Sequence, residues 1–244
     1  MERLMNVKEA AELLNVSEMT IRRWTNSGAL NCYRVGGKRE RRFRVQDLQK
    51  YLDKLSSRST EAAELIPLGG GNPFVPDGLH LTHLCMNLSE SLDIGSAYLR
   101  EGLARKETVL LVAGKANLDK FINCLELSGV DVGMARSQGR LYISHGAEAP
   151  HDMAVVISQT IAAAKGRFRL FGDMTWVKEK KWRLEATRQL EEMGNNFLNT
   201  FGRLYLCQYP LASFSGEELM MVAETHKYTL YKGTLQKSPY FTIN

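Results

Sequence analysis

Residues 17–28 read SEMTIRRWTNSG and decide the structure of the N-terminal segment. They predict a short helix with Ser17 as its N-cap, Ile21 and Trp24 on its inner face, and Gly28 just past its end. The apolar positions of residues 6–14 recur at helical spacing and predict a preceding helix. The stretch therefore predicts two short helices joined by a tight turn, the second of which carries a polar outer face.

A basic hairpin is predicted directly after these helices. Residues 33–44 read YRVGGKRERRFR, which predicts a strand, a Gly-Gly turn and a return strand. Residues 45–52 then predict a closing helix that docks Leu48 and Leu52 on the core. Two helices and a basic hairpin in this order are typical of a winged helix-turn-helix, whose second helix fits the major groove of DNA.

Residues 1–52 resemble the winged helix-turn-helix of the MerR and phage-excisionase class. The resemblance rests on the tryptophan of the second helix, the Gly-Gly wing tip and the Asp-Leu pair of the final helix. It implies double-stranded DNA as the partner, with base contacts from the second helix and phosphate or minor-groove contacts from the wing. The candidate DNA-binding residues are Ser17, Thr20, Arg22, Arg23, Arg34, Lys38, Arg39, Arg41 and Arg42.

The distribution of charge agrees with a local DNA-binding surface. Residues 1–52 hold 11 Lys and Arg against 6 Asp and Glu, a net charge of +5. This equals the formal net charge of the whole chain, so the positive and negative charges of residues 53–244 cancel. A basic segment on a neutral body indicates a nucleic-acid footprint.

Composition predicts a cytoplasmic protein that does not enter a membrane. The chain has 244 residues and 44% hydrophobic content, enough for one or two domains with sizeable cores. No apolar run approaches 18 residues, and the first residues lack the apolar stretch of a signal peptide. The four cysteines are scattered without a CxxC pair, which favours free thiols.

The chain is expected to divide into residues 1–52, a linker at 53–78, and residues 79–244. Residues 55–60 are polar, and the glycines of residues 69–71 predict a hinge. From residue 79 onward, apolar strands alternate with amphipathic helices, and residues 108–113 form a continuous apolar strand. This alternation predicts a doubly wound α/β sheet with ligand chemistry at the carboxyl ends of its strands.

Residues 79–241 resemble the sensory module of dichloromethane-responsive regulators and of methanogen and methylotroph regulators, the MEDS family. The resemblance rests on residues 83–85, 172–176, 206–209, 225–226 and 237–241. It implies a RecA/KaiC-like core and a small-molecule effector such as a hydrocarbon derivative. The chain departs from such ATPases because residues 86–91 read MNLSES and no GxxxxGK[ST] occurs. The sequence therefore predicts a protein that is not an enzyme.

Candidate ligand-binding residues lie at the predicted strand ends. They are His83, Cys85, Asp173, Met174, Trp176, Cys207, Gln208, Tyr209 and His226. This soft and aromatic set suits a small apolar or weakly polar effector. A soft metal ion is an alternative because imidazole and thiolate bind zinc and copper, and a redox-sensing thiol is a third. Burial in the core is the competing interpretation for Cys85 and Cys207, and the sequence fixes no cofactor.

The sequence as a whole favours a one-component transcriptional regulator. A DNA-binding module of about 50 residues makes few base contacts, so paired half-sites and a homodimer are expected. The alternatives are a metal- or redox-sensing regulator that uses the His and Cys residues, and a degenerate RecA-like ATPase with a DNA anchor. The missing phosphate loop disfavours the ATPase.

Overall fold

The structure is a computed structural model that describes residues 4–14, 16–26, 30–37, 40–48, 51, 65–197 and 202–241. The chain divides into two compact units, Met1–Glu64 and Leu65–Asn244. Among the described residues, no helix combines the length and the apolar character needed to cross a membrane.

The first unit has the predicted order of two helices and a hairpin. Its elements are α1 (Val7–Leu14), α2 (Glu18–Asn26), β1 (Tyr33–Val35) and β2 (Glu40–Arg42), and residues 45–48 are again helical. Helix α1 begins with a capping box, since Asn6 and Glu9 each accept the other's backbone N–H. The small core consists of Ala10, Ala11, Ile21, Leu30, Phe43 and Leu48. The predicted positions Gly28 and Leu52 lie outside the described residues.

The second unit is built on a seven-stranded, mostly parallel sheet. Its strands are β5 (Leu79–Cys85), β6 (Thr108–Ala113), β7 (Leu141–Ser144), β8 (Phe168–Asp173), β9 (Arg203–Pro210), β10 (Tyr228–Tyr231) and β11 (Thr234–Lys237). They lie in the order β11-β10-β5-β9-β8-β6-β7, and only the β10–β11 pair is antiparallel. The predicted α/β class is thereby confirmed, because parallel neighbours need the helical crossovers that the alternating sequence supplies.

Helices cover both faces of this sheet. They are α3 (Leu88–Ala104), α4 (Lys115–Leu127), α5 (Val132–Ser137), α6 (Pro150–Ala163), α7 (Thr175–Glu179), α8 (Leu184–Phe197) and α9 (Gly216–Thr225). Side chains alternate along β9, so Leu204 and Leu206 join a core with α3, α4 and α5, which we call the α3 face. Tyr205, Cys207 and Tyr209 join a second core with α6, α7, α8 and α9, the α8 face.

The structure differs from the expected linker at residues 65–78. Strands β3 (Leu65–Pro67) and β4 (Phe74–Pro76) form a hairpin that contributes Ile66, Leu68 and Val75 to the core of the α3 face. The glycines of residues 69–71 make its turn with positive φ. A Cβ at Gly69 would lie 2.3 Å from the carbonyl oxygen of Ala97 on α3. The glycines thus form a packed turn, in contrast to the predicted hinge.

One helix is shorter than the sequence predicts, and one was not predicted. The helix that hydrophobic periodicity predicts over residues 181–197 begins only at Leu184, as α8, because Lys181 before it has a positive φ of +56°. Helix α5 is an unpredicted short element that begins at Asp131, whose carboxylate accepts the N–H of Met134. The Asp131 cap explains where α5 begins, and hydrophobic periodicity alone does not place helix ends.

Candidate functional site

The outer face of α2 carries the helix residues that the sequence proposes for DNA. Ser17 is the N-cap, since its Oγ accepts the backbone N–H of Thr20 at 3.1 Å and lies 2.9 Å from Thr20 Oγ1. Arg22 and Arg23 are both exposed, and Arg22 forms a loose ion pair with Glu18 at 3.5 Å. Both guanidinium groups are therefore available to an outside partner, whereas the Ser17 hydroxyl also caps the helix.

The wing orients its arginines through contacts within the chain. Arg41 Nη2 donates to Asn26 Oδ1 at the end of α2 at 2.5 Å, and Arg34 is its neighbour across the hairpin. Arg42 pairs with Glu40 at 2.6 Å. Lys38 and Arg39 at the wing tip lie outside the described residues. Arg41 thus ties the wing to the end of the second helix, and Arg34 is exposed beside it.

The predicted ligand-binding residues do not form one site. His83, Cys85, Asp173 and Gln208 lie on strand positions that face α3, in register with the residues of that core. The others belong to the α8 face: Met174, Trp176, Cys207, Tyr209 and His226. Neighbouring strand residues point to opposite faces of a sheet, so residues that share a strand end in the sequence lie on different faces in the structure.

On the α3 face, His83 belongs to a buried hydrogen-bond network through its Nδ1, while its Nε2 has no hydrogen-bond partner among the described residues. Gln208 Nε2 lies 2.7 Å from His83 Nδ1, and Gln208 Oε1 accepts from Ser91 Oγ at 2.9 Å. His83 Nε2 lies 3.7 Å from Glu90 Oε1. Burial lowers the pKa of His83 to about 4, although Glu90 acts in the opposite direction. His83 is therefore neutral at pH 7.

Glu90 lies in the first turn of α3, directly after β5, where the resemblance to RecA/KaiC ATPases would place a phosphate loop. Its Oε2 accepts the backbone N–H of Met86 at 2.7 Å, while Asn87 caps α3 by accepting the N–H of Glu90. A carboxylate of the chain itself thus lies beside the positive end of the helix. A phosphate at this place would meet a like charge.

Cys85 and Asp173 have structural partners on the same face. Burial raises the pKa of Cys85 to about 12, so its thiol stays protonated. Asp173 accepts from Asn117 Nδ2 at 2.8 Å and from Thr175 Oγ1 at 3.0 Å. Burial raises the pKa of Asp173, and the hydrogen bonds from Asn117 and Thr175 oppose that shift. Asp173 therefore stabilises the turn that leads into α7.

The α8 face contains a buried polar cluster of His80, Glu191, Cys207 and His226, which we call the His-Glu-Cys cluster. One ligating atom from each residue lies within 4.8 Å of every other. His80 Nε2 is 3.1 Å from Glu191 Oε2 and 3.3 Å from Cys207 Sγ. His226 Nε2 is 3.4 Å from the same carboxylate oxygen. All four residues are buried.

Sequence reasoning missed two members of this cluster. His80 precedes the expected site on β5, and Glu191 lies on α8. A signal for Glu191 was present, because it shares the buried stripe of α8 with Thr187, Leu190 and Gly194 at helical spacing. An acid on such a stripe needs a buried partner, which makes it a site candidate.

A small cavity of about 30 Å³ adjoins this cluster. His80, Glu191, Cys207 and Tyr205 line its polar side. Its apolar lining includes Met153, Ile157, Leu170, Met174, Trp176 and Leu190. Within the described part of the chain, neither Trp176 Nε1 nor the Tyr205 hydroxyl has a hydrogen-bond partner, although both atoms are buried. Such donors are rare in folded proteins, and a water molecule or a bound ligand would supply the missing acceptor.

The buried cysteines do not fit the redox-sensing alternative. A sensing thiol needs a lowered pKa and access to solvent. Burial raises the pKa of Cys207 well above its usual value, and the neighbouring Glu191 raises it further. Cys85 is shifted in the same direction, and both side chains are buried.

Comparison with known proteins matches both units. A helix-turn-helix domain family matches residues 4–56, and the methanogen/methylotroph, DcmR sensory domain (MEDS) matches residues 80–227, more than half of the chain. This chain belongs to the MEDS family. The transcriptional repressor DcmR of Methylorubrum extorquens (strain DSM 6343 / CIP 106787 / DM4) is 31% identical over 96% of this chain and 94% of that protein. The MEDS protein described here is thus a DNA-binding transcriptional regulator with a sensory domain, in agreement with the resemblances in its sequence.

Proposed function

We propose that this MEDS protein is a one-component repressor whose DNA affinity is controlled by a compact, weakly polar effector bound in the cavity of the α8 face. The relative named a transcriptional repressor, aligned over nearly the full length of both chains, supports repression. The effector part of the proposal rests on this cavity, two of whose lining residues, Trp176 and Tyr205, have buried donors without a partner among the described residues.

DNA contact is assigned to the exposed face of α2 and to the wing. Arg23 has no ion pair in the part of the chain that the structure describes, and it is exposed beside Arg22. A guanidinium group on a recognition helix suits bidentate contact with guanine. Arg34, Lys38 and Arg39 are assigned to phosphates, and Arg41 to positioning the wing against α2. Because so small a module reads few bases, the protein binds DNA as a homodimer on paired half-sites.

The effector is limited by the size and polarity of the cavity. A volume of about 30 Å³ exceeds what one water molecule requires but admits only a molecule of few heavy atoms. The apolar walls favour a hydrocarbon skeleton, and the Trp176 and Tyr205 donors favour one acceptor atom on it. Small halogenated or oxygenated hydrocarbons meet both conditions.

The DNA part is tested on full-length protein with DNA selected from a random library. Arg23→Gln should weaken binding by about 1–3 kcal/mol and relax the preference at one base position. Arg136→Gln removes an exposed arginine of the other unit and serves as the matched control. The measurement is fluorescence anisotropy over a range of salt concentrations, and the stoichiometry of the complex should be two chains per site. Equal DNA affinities for Arg23→Gln and Arg136→Gln would contradict the assignment of α2 to the DNA-binding surface.

To test the effector part, small halogenated and oxygenated hydrocarbons are added one at a time to the complex of the protein with its selected DNA, and the release of the DNA is measured. Tyr205→Phe removes one cavity donor and should reduce the response to an active compound while the DNA affinity without effector is unchanged. His83→Asn is the control on the opposite face of the sheet. A response lost in His83→Asn but kept in Tyr205→Phe would move the effector site to the α3 face, where the sequence argument placed its first candidates.

A further inference from the structure

The hydrogen bonds around the His-Glu-Cys cluster fix which ring nitrogen of each histidine faces inward. His226 Nδ1 lies 2.9 Å from the backbone carbonyl of Val222, which can only accept, so this nitrogen carries the proton. His80 Nδ1 lies 3.0 Å from Asn195 Oδ1, and the amide of Asn195 is oriented because its Nδ2 donates to the carbonyl of Thr225. When both rings are neutral, each Nε2 therefore carries a lone pair that points into the cluster.

The cluster is consequently short of protons. Two imidazole lone pairs and a Glu191 oxygen are all acceptors, and among these four groups only the Cys207 thiol brings a hydrogen. In agreement with this, His226 Nε2 is buried without a hydrogen-bond partner. A buried group of converging acceptors is stable when a cation occupies its centre.

We infer that His80, Glu191, Cys207 and His226 bind one zinc ion in the sensory domain. Bond lengths in a tetrahedral zinc site place its ligand atoms roughly 3.3–3.8 Å apart. Four of the six separations between the ligand atoms are 3.1, 3.3, 3.4 and 3.5 Å, and the other two are at most 4.8 Å, so the ligands would contract around the ion. Two neutral imidazoles, one thiolate and one carboxylate would also balance the charge of a divalent ion.

The surroundings of these residues are those of a supported metal site. Each histidine donates its other N–H to a carbonyl oxygen, and the Tyr209 hydroxyl donates to Glu191 Oε1, which leaves Oε2 for the cluster. The four ligands come from β5, α8, β9 and the residue that ends α9. Gly194 leaves room for the imidazole of His80, since a Cβ there would lie 3.1 Å from His80 Cε1. This assignment does not depend on an effector in the neighbouring cavity.

The test uses full-length protein freed of metal with a chelator and then titrated with Co²⁺ as a spectroscopic probe. We expect one equivalent of Co²⁺ to give the visible bands of a tetrahedral site together with a thiolate charge-transfer band. Zn²⁺ should displace the Co²⁺ and raise the melting temperature. The absence of stoichiometric binding, or an octahedral Co²⁺ spectrum, would overturn the inference.

Substitutions then identify the ligands. Cys207→Ser should abolish the charge-transfer band, and His226→Gln should weaken Zn²⁺ binding by more than about 100-fold. Cys85→Ser and His83→Asn are matched controls, a buried cysteine and a buried histidine on the α3 face, and should bind like the wild type. If Cys207→Ser does not fold, Tyr209→Phe replaces it, with an expected loss of about 10–100-fold in affinity. Unchanged binding in the cluster variants, or loss in the controls, contradicts the assignment.

Discussion

At the residue scale, the least expected side chain is the fully buried Arg169 on β8. Its guanidinium donates to Glu107 at 2.6 and 3.3 Å, and also to the carbonyls of Pro67 and Tyr98 at 3.2 Å each. It therefore joins the sheet to both the β3–β4 hairpin and α3. Every one of these partners is distant in sequence, which is why the strand pattern predicted the position of Arg169 but not its role.

Removing the partner of this arginine should be costly. Glu107→Ala leaves Arg169 as a buried charge without its carboxylate, and we expect a loss of about 3–5 kcal/mol in the free energy of unfolding. Glu126→Ala removes an exposed glutamate of the same unit and should stay within about 0.5 kcal/mol of the wild type. Urea unfolding of both variants measures the difference. Similar urea midpoints for the two variants would show that other groups balance the charge of Arg169 when Glu107 is absent.

A second prediction concerns His83 and the stability of the protein in acid. Its pKa is about 4 in the folded protein, below the usual value of 6.5, so between these limits the unfolded chain binds more protons. The contribution of the neutral His83 to the free energy of unfolding is fully present above pH 6.5 and is lost as the pH falls towards 4. It amounts to about 3 kcal/mol.

The measurement is urea unfolding of the wild type and of His83→Asn over that pH range. The Asn side chain keeps an acceptor near the position of Nδ1 but does not titrate, so the variant should lose less stability on acidification. Other groups titrate in both proteins and cancel in the difference. Parallel pH curves for the two proteins would exclude His83 as the responsible group.

At the scale of elements, the turn from β5 to α3 separates this domain from nucleotide-binding sheets. Glu90 accepts the N–H of Met86 there, so the chain supplies its own anion. We expect ATP with Mg²⁺ to leave the melting temperature unchanged, whereas a true ligand at 100 times its dissociation constant would add about 2.7 kcal/mol. Differential scanning fluorimetry with increasing ATP provides the test, and a saturable upward shift would restore the nucleotide-binding interpretation.

The sequence predicted the helices and strands better than it predicted the contacts between them. Periodicity and capping residues located α1 and α2 and the parallel strands, because each depends on residues close in sequence. The β3–β4 hairpin was missed because its strands are three residues long and its glycines also suit a hinge. The packing of Gly69 against Ala97 depends on a contact with a helix that follows later in the chain.

At the scale of the whole molecule, the sequence predicted two functional parts, and the families matched at residues 4–56 and 80–227 agree with them. The candidate site was predicted less well. Glu191 lies 111 positions after His80 in the chain, so only the folded domain brings the two side chains together in the cluster. Strand-end reasoning found Cys207 and His226 but could not assign them to a face. The likeness of the sheet to a RecA/KaiC core and the homodimer both remain predictions.

The contact between Gly146 and Trp176 has a consequence for engineering. A Cβ at residue 146 would lie 2.2 Å from Trp176 Cε3, so the indole fits only because this position has no side chain. Any larger residue there would displace the ring, which lines the cavity of the α8 face. On the proposal that this cavity binds the effector, a larger residue at position 146 would act as a built-in surrogate for it, and DNA binding would then no longer respond to an added compound.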